Sequence, residues 1–365
     1  MKLSYENDYS EGCLPEILDC LCKTNFEQTS GYGIDHYTES AARRIAMELD
    51  VERSSIDVFF TTGGTLANAA VVTHLLRPHQ GVLSAACGHI NHHESGAIEA
   101  GGHKILEIHS DPHSGIIDTD CLATYLSEFW SEPTREHMVQ PGMIYLSNLN
   151  EQGSFYSAVE LDRIRTIADR HDLPIYMDGA RLGTALVAAG DGLRMKDLPR
   201  LVDVFTIGGT KMGALFGEAI VFTGRKPSAN YVKDFYWTLK QKGGRLAKGR
   251  LLGLQFDRLF TDGLYFAAAA HANEQAEKLR VGFRQRQIPL WVDNAGNQVF
   301  VILTPEQEQH MAQTFKFERW SIPSAEELLA FGLHGPHHLV RLCTSFATAS
   351  DQANRWFEVW DQPRV

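Results

Sequence analysis

The sequence contains no apolar run near the roughly 20 residues that cross a bilayer. Its first residues, Met1-Lys2-Leu3-Ser4-Tyr5-Glu6-Asn7-Asp8, lack the apolar core of a secretory signal, so a cytoplasmic location is expected. Excess positive charge is also missing. A formal charge of −11 argues against a general nucleic-acid or anionic-membrane surface, which normally shows clustered basic residues. The six cysteines, Cys13, Cys20, Cys22, Cys87, Cys121 and Cys343, include no C-x-x-C pair, and reduced thiols are expected. Cys20-Leu21-Cys22 is the only close pair, and its helical surroundings favour packing over a redox couple. No repeat or low-complexity tract is evident.

What is present is ordinary in bulk and specific in pattern. A chain of 365 residues, 44% hydrophobic and 22% charged, can hold one large and one smaller core. From Ile56 to Gly224, apolar runs alternate with amphipathic stretches, as α/β layers require. The strand candidates are Val58–Phe60, Val82–Ala85, Ile105–Ile108, Met143–Leu146, Ile175–Met177, Val204–Thr206 and Ala219–Phe222. Between two of them, Ala158–Ala168 spaces its apolar residues as a helix covering one sheet face would. After Arg250 a long helical stretch leads to a mixed region with strands near Val299–Leu303 and Leu339–Leu342. The expected division is residues 1–250, an N-terminal segment and large α/β domain, and residues 251–365, a connecting helix and small α+β domain.

Two strand ends carry the chemistry. Pro174-Ile175-Tyr176-Met177 runs into Asp178-Gly179-Ala180-Arg181, and Val204-Phe205-Thr206-Ile207 runs into Gly208-Gly209-Thr210-Lys211. Side chains at strand C-termini face the crevice where α/β sheets place ligands. An aldehyde cofactor of the pyridoxal phosphate type needs an amine to hold it as an imine and a carboxylate to keep its pyridine nitrogen protonated. Lys211 and Asp178 suit those roles, and glycines beside Lys211 would let the cofactor approach the backbone. The alternative is a helix-capping aspartate and a solvated loop lysine.

Thr61-Thr62-Gly63-Gly64-Thr65 lies between a strand and the helical Leu66–Val72, so backbone N–H groups and the Thr65 hydroxyl would meet at a helix N-terminus, a ready anion site. A tight threonine-capped turn is the other reading. Cys87-Gly88-His89-Ile90-Asn91-His92-His93-Glu94 offers metal-ligand types, but H-E-x-x-H order is absent and no distant third ligand is marked. No metal is expected. His89 is better read as stacking on a pyridine ring, with Glu94 packing or pairing in the helix that follows. His334, His337 and His338 are read as a polar loop around Gly335-Pro336.

Together these segments resemble the threonine aldolase and β-eliminating lyase family of fold type I pyridoxal phosphate enzymes, low-specificity L-threonine aldolases most of all. The motifs occur in the family's order, from Asn7-Asp8-Tyr9-Ser10-Glu11-Gly12 and Tyr32-Gly33-Ile34-Asp35-His36-Tyr37-Thr38 through Gly63-Gly64-Thr65, His89, Asp178–Arg181 and Gly209-Thr210-Lys211 to Val340-Arg341-Leu342-Cys343-Thr344. The resemblance implies an aminotransferase-like fold, with a large mainly parallel sheet flanked by helices and a smaller α+β C-terminal domain. It implies that Lys211 holds the cofactor, Asp178 pairs with its ring nitrogen and His89 stacks on the ring. Arg181 and Arg341 would hold the substrate carboxylate or the cofactor's phenolic oxygen, since a guanidinium binds a carboxylate through two parallel hydrogen bonds. An ordinary salt bridge is the alternative for Arg341.

Lys248, in the basic stretch from Lys240 to Arg250, resembles a residue given to the neighbouring subunit's phosphate; a solvated loop is the alternative. The resemblance therefore implies a homodimer or homotetramer. Two positions depart from the family. Asn7 stands where a serine commonly helps bind the substrate carboxylate, and its amide can donate instead. A histidine that contacts the substrate hydroxyl in many members of the family is replaced in Asn150-Glu151-Gln152-Gly153, where Glu151 occupies the nearest position, which leaves His89, Glu151 or a water as the base. The implied reaction is retro-aldol cleavage of a β-hydroxy-α-amino acid, a small amino-acid substrate, to glycine and an aldehyde. β-Elimination, other amino-acid chemistry on the same cofactor, a catalytically silent relative and a metal hydrolase are the alternatives.

Overall fold

A computed structural model describes residues 2–225 and 232–363. The strands, in chain order, are β1 (Leu3–Ser4), β2 (Asp57–Thr61), β3 (Gln80–Ala85), β4 (Ile105–Ile108), β5 (Gln140–Ser147), β6 (Ile175–Asp178), β7 (Val204–Gly208), β8 (Glu218–Phe222), β9 (Gln298–Leu303), β10 (Phe315–Lys316), β11 (Glu318–Ser321) and β12 (His338–Cys343). All seven predicted strands lie in one 7-stranded sheet of order β2-β8-β7-β6-β5-β3-β4. β8 is antiparallel to both of its neighbours, and the other pairings are parallel.

The apolar runs are explained by burial on both faces. Successive side chains of a strand point to opposite sides. Thus Leu83, Ile144, Leu146, Ile175, Met177, Phe205 and Val221 enter one core cluster, while Val82, Met143, Tyr145, Tyr176, Val204 and Ile220 enter the other. Helices Thr119–Ser131, Ala158–Arg170 and Leu182–Ala189 supply Leu122, Leu161, Ile164 and Leu186 to the first face. Helices Gly64–Leu75 and Phe235–Gln241 supply Val71, Val72, Phe235 and Leu239 to the second. The predicted helix near Ala158 begins with a capping box in which Ser157 and Glu160 exchange hydrogen bonds.

Beyond the sheet, the long helical stretch is two helices, Arg250–Leu259 and Leu264–Gln285, separated at Gly263, whose φ of 69° suits glycine. A 3-stranded antiparallel sheet of order β11-β12-β9 follows. β1 pairs in parallel with β10, and Tyr5 is buried with Phe283, Phe315 and Trp356, so the chain's first residues join the C-terminal core. His338 begins β12 and its Nδ1 bonds to Glu308, which corrects its expected place in a polar loop. All six cysteines are free. Among the described residues, no helix is long and apolar enough to cross a membrane.

Candidate active site

Strand direction decides which residues can meet. β2, β3, β5, β6 and β7 run the same way, so the segments after their last residues share one edge of the sheet. These segments are Gly63-Gly64-Thr65 after β2, His89 after β3, Glu151 after β5, Asp178 at the end of β6 and Lys211 after β7. β8 runs oppositely, so its first residue, Glu218, lies at the same edge, with Thr61 and Gly208 as its cross-strand neighbours. Gly179 and Gly208 permit the approach of the Asp178 and Lys211 segments. A Cβ on Gly179 would come within 2.0 Å of the Thr206 carbonyl oxygen, and one on Gly208 within 2.2 Å of that of Ala180. A Cβ on Gly209 would likewise come within 2.8 Å of the Phe256 ring.

A cavity of about 600 Å³ lies above this edge, between the large sheet and the small one. Lys211, His89, Glu151 and Arg181 line it from the large sheet, Asn7 and Tyr9 from the N-terminal segment, and Glu318, Trp320 and Arg341 from the small sheet.

Asp178, 5% exposed, anchors a buried network. Its Oδ2 accepts from Asn68 Nδ2 and the Tyr145 hydroxyl, both at 2.8 Å, and its Oδ1 from Ala180 N at 2.9 Å. Burial alone would favour the protonated acid, but the positive charge of His89 and these donors outweigh it and hold the carboxyl below its usual range. An ionised carboxylate offers about four lone-pair sites, which leaves room for one further donor. Asn68 is itself fixed: its Oδ1 accepts from the Tyr176 hydroxyl at 2.6 Å, and its Nδ2 also donates to Glu94 Oε1 at 2.6 Å.

His89 Nδ1 lies 2.9 Å from that same Glu94 oxygen. Burial pulls the imidazole's affinity for protons down, but Glu94, Glu151 and Asp178 overcome it and raise the pKa. Potential ligand atoms of His89, Glu94 and Asp178 lie within 4.8 Å of one another. The Asn68 amide donates to both carboxylates. Glu94 thus pairs with His89 and Asn68.

Lys211 sits in a short 3-10 turn, Thr210–Met212. Burial first, then the nearby Arg181 cation, lowers its pKa against the opposing pull of Asp8, Asp178 and Glu218. Thr210 Oγ1 accepts from Gly217 N at 3.1 Å, leaving its hydroxyl hydrogen to donate elsewhere. The helix Gly64–Leu75 has no side-chain cap at Gly63, so its first N–H groups suit an anion.

The two arginines differ. Arg181 grips Asp8 through Nε at 2.7 Å and Nη2 at 3.0 Å, which leaves Nη1 for a ligand. Arg341 bonds Gln298 through Nη1 at 3.2 Å and Glu318 through Nη2, over the Trp320 ring. Asn7 Oδ1 accepts from Tyr9 N and the Ser10 hydroxyl, so its amide N–H groups remain as donors. Glu151 is buried against the cavity with Oε2 unpartnered, and burial raises its pKa, with Asp178 adding to the rise and His89, Arg181 and Lys211 opposing it. Lys248 is exposed on its loop and does not line this cavity.

Sequence reasoning missed Asn68, Tyr145, Glu218 and Glu318. Glu218, 4% exposed, is raised to about 8 by burial and Asp178. Its one visible signal is a charge opening the otherwise apolar run Glu218-Ala219-Ile220-Val221-Phe222.

The chain is similar to known proteins over most of its length. The sequence profile of the beta-eliminating lyase family matches residues 13–305. A low specificity L-threonine aldolase of a Pseudomonas species is 30% identical over 75% of this chain and 76% of its own length. The corresponding protein of Pseudomonas aeruginosa is 28% identical with the same shares. The solved structure of Leishmania major threonine aldolase is 36% identical, with a TM-score of 0.89 and 98% of each chain covered. Thermus thermophilus aspartate aminotransferase, 12% identical, shares the fold alone, with a TM-score of 0.68 over 98% of this chain and 91% of its own. The chain therefore has the aminotransferase-like fold type I and belongs to the threonine aldolase and beta-eliminating lyase family of enzymes.

Proposed function

We propose that the enzyme uses pyridoxal 5′-phosphate to cleave a β-hydroxy-α-amino acid of the threonine or allo-threonine type into glycine and an aldehyde. The observation that carries this reading is a cavity-lining Lys211 set at the same sheet edge as an ionised, three-fold hydrogen-bonded Asp178, in a chain similar over most of its length to low-specificity L-threonine aldolases. The residues fit the cofactor. Lys211 would hold its aldehyde carbon, Asp178 has a lone-pair site to accept its ring N–H, and His89, fixed by Glu94, would stack on the ring. Gly63, Gly64, Thr65 and Thr210 would hold its phosphate, and Arg181 Nη1 its phenolic oxygen. When bound, the cofactor supplies a sink for the electron pair left on Cα as the Cα–Cβ bond breaks.

The protein's own groups do the rest. A lowered pKa leaves more of Lys211 as the neutral, nucleophilic amine. Arg341, aided by the Asn7 amide, would hold the substrate carboxylate and so orient Cα–Cβ for cleavage. Glu151 is the better base for the β-hydroxyl proton, because its Oε2 is uncommitted and burial raises its affinity for protons. His89 is committed through Nδ1 to Glu94 and carries a raised pKa, which suits it to a fixed, charged platform.

On this reading the exposed Lys248 is given to a neighbouring copy, the working assembly is a homodimer or homotetramer, and its location is the cytoplasm. The deciding experiment is product analysis with threonine and allo-threonine. Glycine and acetaldehyde in equal amounts support cleavage, whereas ammonia with a keto acid would establish β-elimination in its place.

A further inference from the structure

Arg341 and Glu318 are direct cross-strand partners in β12 and β11, and both side chains line the cavity that holds Lys211 and Glu151. Their contact is asymmetric: the Arg341 side chain is 11% exposed and that of Glu318 is 42% exposed. Trp320 lies beneath the guanidinium, 4.5 Å from its centre, and Gln298 holds Nη1, so the arginine is fixed while its acidic partner can turn into water. A guanidinium grips a carboxylate bidentately through Nε with Nη2 or through Nη1 with Nη2. Nη2 belongs to both pairs, and one of its hydrogens is donated to Glu318 Oε2. An incoming carboxylate therefore meets a negative charge already seated on the donor it needs. The other cation next to Glu318 offers no relief, because Arg319 is engaged bidentately by Glu308 at 2.9 Å through each of Nε and Nη2.

We propose that Glu318 is a built-in competitor for the substrate's carboxylate, holding Arg341 when no substrate is bound and yielding it when an amino acid enters. The exchange moves a half-exposed carboxylate into solvent and replaces it with the ligand's, so the pocket never presents a bare buried guanidinium. It also discriminates. Simple inorganic anions and small carboxylates must displace Glu318 without the compensating hold of Lys211 and the cofactor, whereas an α-amino acid engages both ends of the site.

This inference rests on reading Arg341 as the carboxylate clamp, and the experiment separates the two. Glu318→Gln and Glu318→Ala holoenzymes are compared with the unaltered holoenzyme for KM, kcat and inhibition by acetate, with Arg341→Lys assayed in parallel. Competition predicts that both Glu318 variants lower KM by about three- to tenfold. It also predicts kcat within about twofold and acetate inhibition strengthened by a similar factor to KM. A KM that stays constant or rises in both variants overturns the inference, a rise meaning that Glu318 positions Arg341 instead. An Arg341→Lys variant with unchanged KM overturns the clamp reading itself, whatever the Glu318 variants show.

Discussion

Asp8 and Arg181, separated by 173 positions in the chain, form a two-pronged ion pair at the floor of the active-site cavity, 2.7 Å from Nε to Oδ2 and 3.0 Å from Nη2 to Oδ1. Asp8 is fully buried and also accepts from Asn297 Nδ2 at 2.9 Å. The pair ties the N-terminal segment, the end of β6 and the small sheet's border into one unit. It also explains why two arginines beside one cavity take different tasks. Arg181 has one edge committed to the protein, while Arg341 has a partner that can leave.

Removing one member of this pair strands the other charge in the interior. Asp8→Ala is expected to lower unfolding free energy by about 3–5 kcal/mol in urea denaturation. The acid limb follows with a definite sign. Burial by itself would raise the Asp8 pKa, but Arg181, Lys211 and the two hydrogen-bond donors depress it far below the ordinary carboxylate range. The contribution is therefore complete above the unfolded Asp value of about 3.9 and is lost as pH falls through the depressed folded value. A stability loss under about 1 kcal/mol in Asp8→Ala would show that the pair carries little.

Glu151→Gln removes the proposed base without changing its size. The expected result is a drop in kcat of about 10²–10⁴-fold with KM little altered and the cofactor's absorption intact. Because burial raises the Glu151 pKa, the unaltered enzyme should lose kcat as pH falls through a value above the usual carboxylate range. Full kcat in Glu151→Gln, with the same acid limb, would pass the role to another group.

Glu218 predicts an alkaline effect. Its folded pKa, about 8, stands above the unfolded Glu value of about 4.3, so the folded state binds the extra proton between them. The resulting stability cost is absent below about pH 4.3, grows as pH rises, and levels off above about 8. Glu218→Gln should therefore melt at nearly the same temperature as the unaltered protein at acid pH and at a higher one at alkaline pH. A constant difference, or one of opposite sign, would refute the assignment of a buried, proton-bearing Glu218.

The large sheet was legible because its strands are covered on both faces and read as unbroken apolar runs, as Met143–Leu146 and Val204–Ile207 do. Asp178 and Lys211 were legible for a related reason, each being a polar residue placed where such a run ends. The small sheet was legible only in part: the strands near Val299–Leu303 and Leu339–Leu342 were expected, and its edge strand was not. Glu318-Arg319-Trp320-Ser321 is a half-exposed edge strand with two charges and no apolar run, and Leu3–Ser4 and Phe315–Lys316 are too short to carry a period. Strand order was equally hidden, because β2 lies beside β8 through a crossover that no local spacing records. The same holds for partners distant in sequence. Asp8 stood in a recognised motif, but nothing in its neighbourhood names Arg181, and the Asn68 bridge between Glu94 and Asp178 exists only once three strand ends are brought together.

The most direct test of the account is chemical. The protein reconstituted with pyridoxal 5′-phosphate is reduced with borohydride, digested and mapped by mass, with Lys211→Ala treated in parallel. One modified peptide is expected, carrying the reduced cofactor at Lys211, with no stable adduct in the variant. A label on a different lysine, or unlabelled protein after full reconstitution, would contradict it.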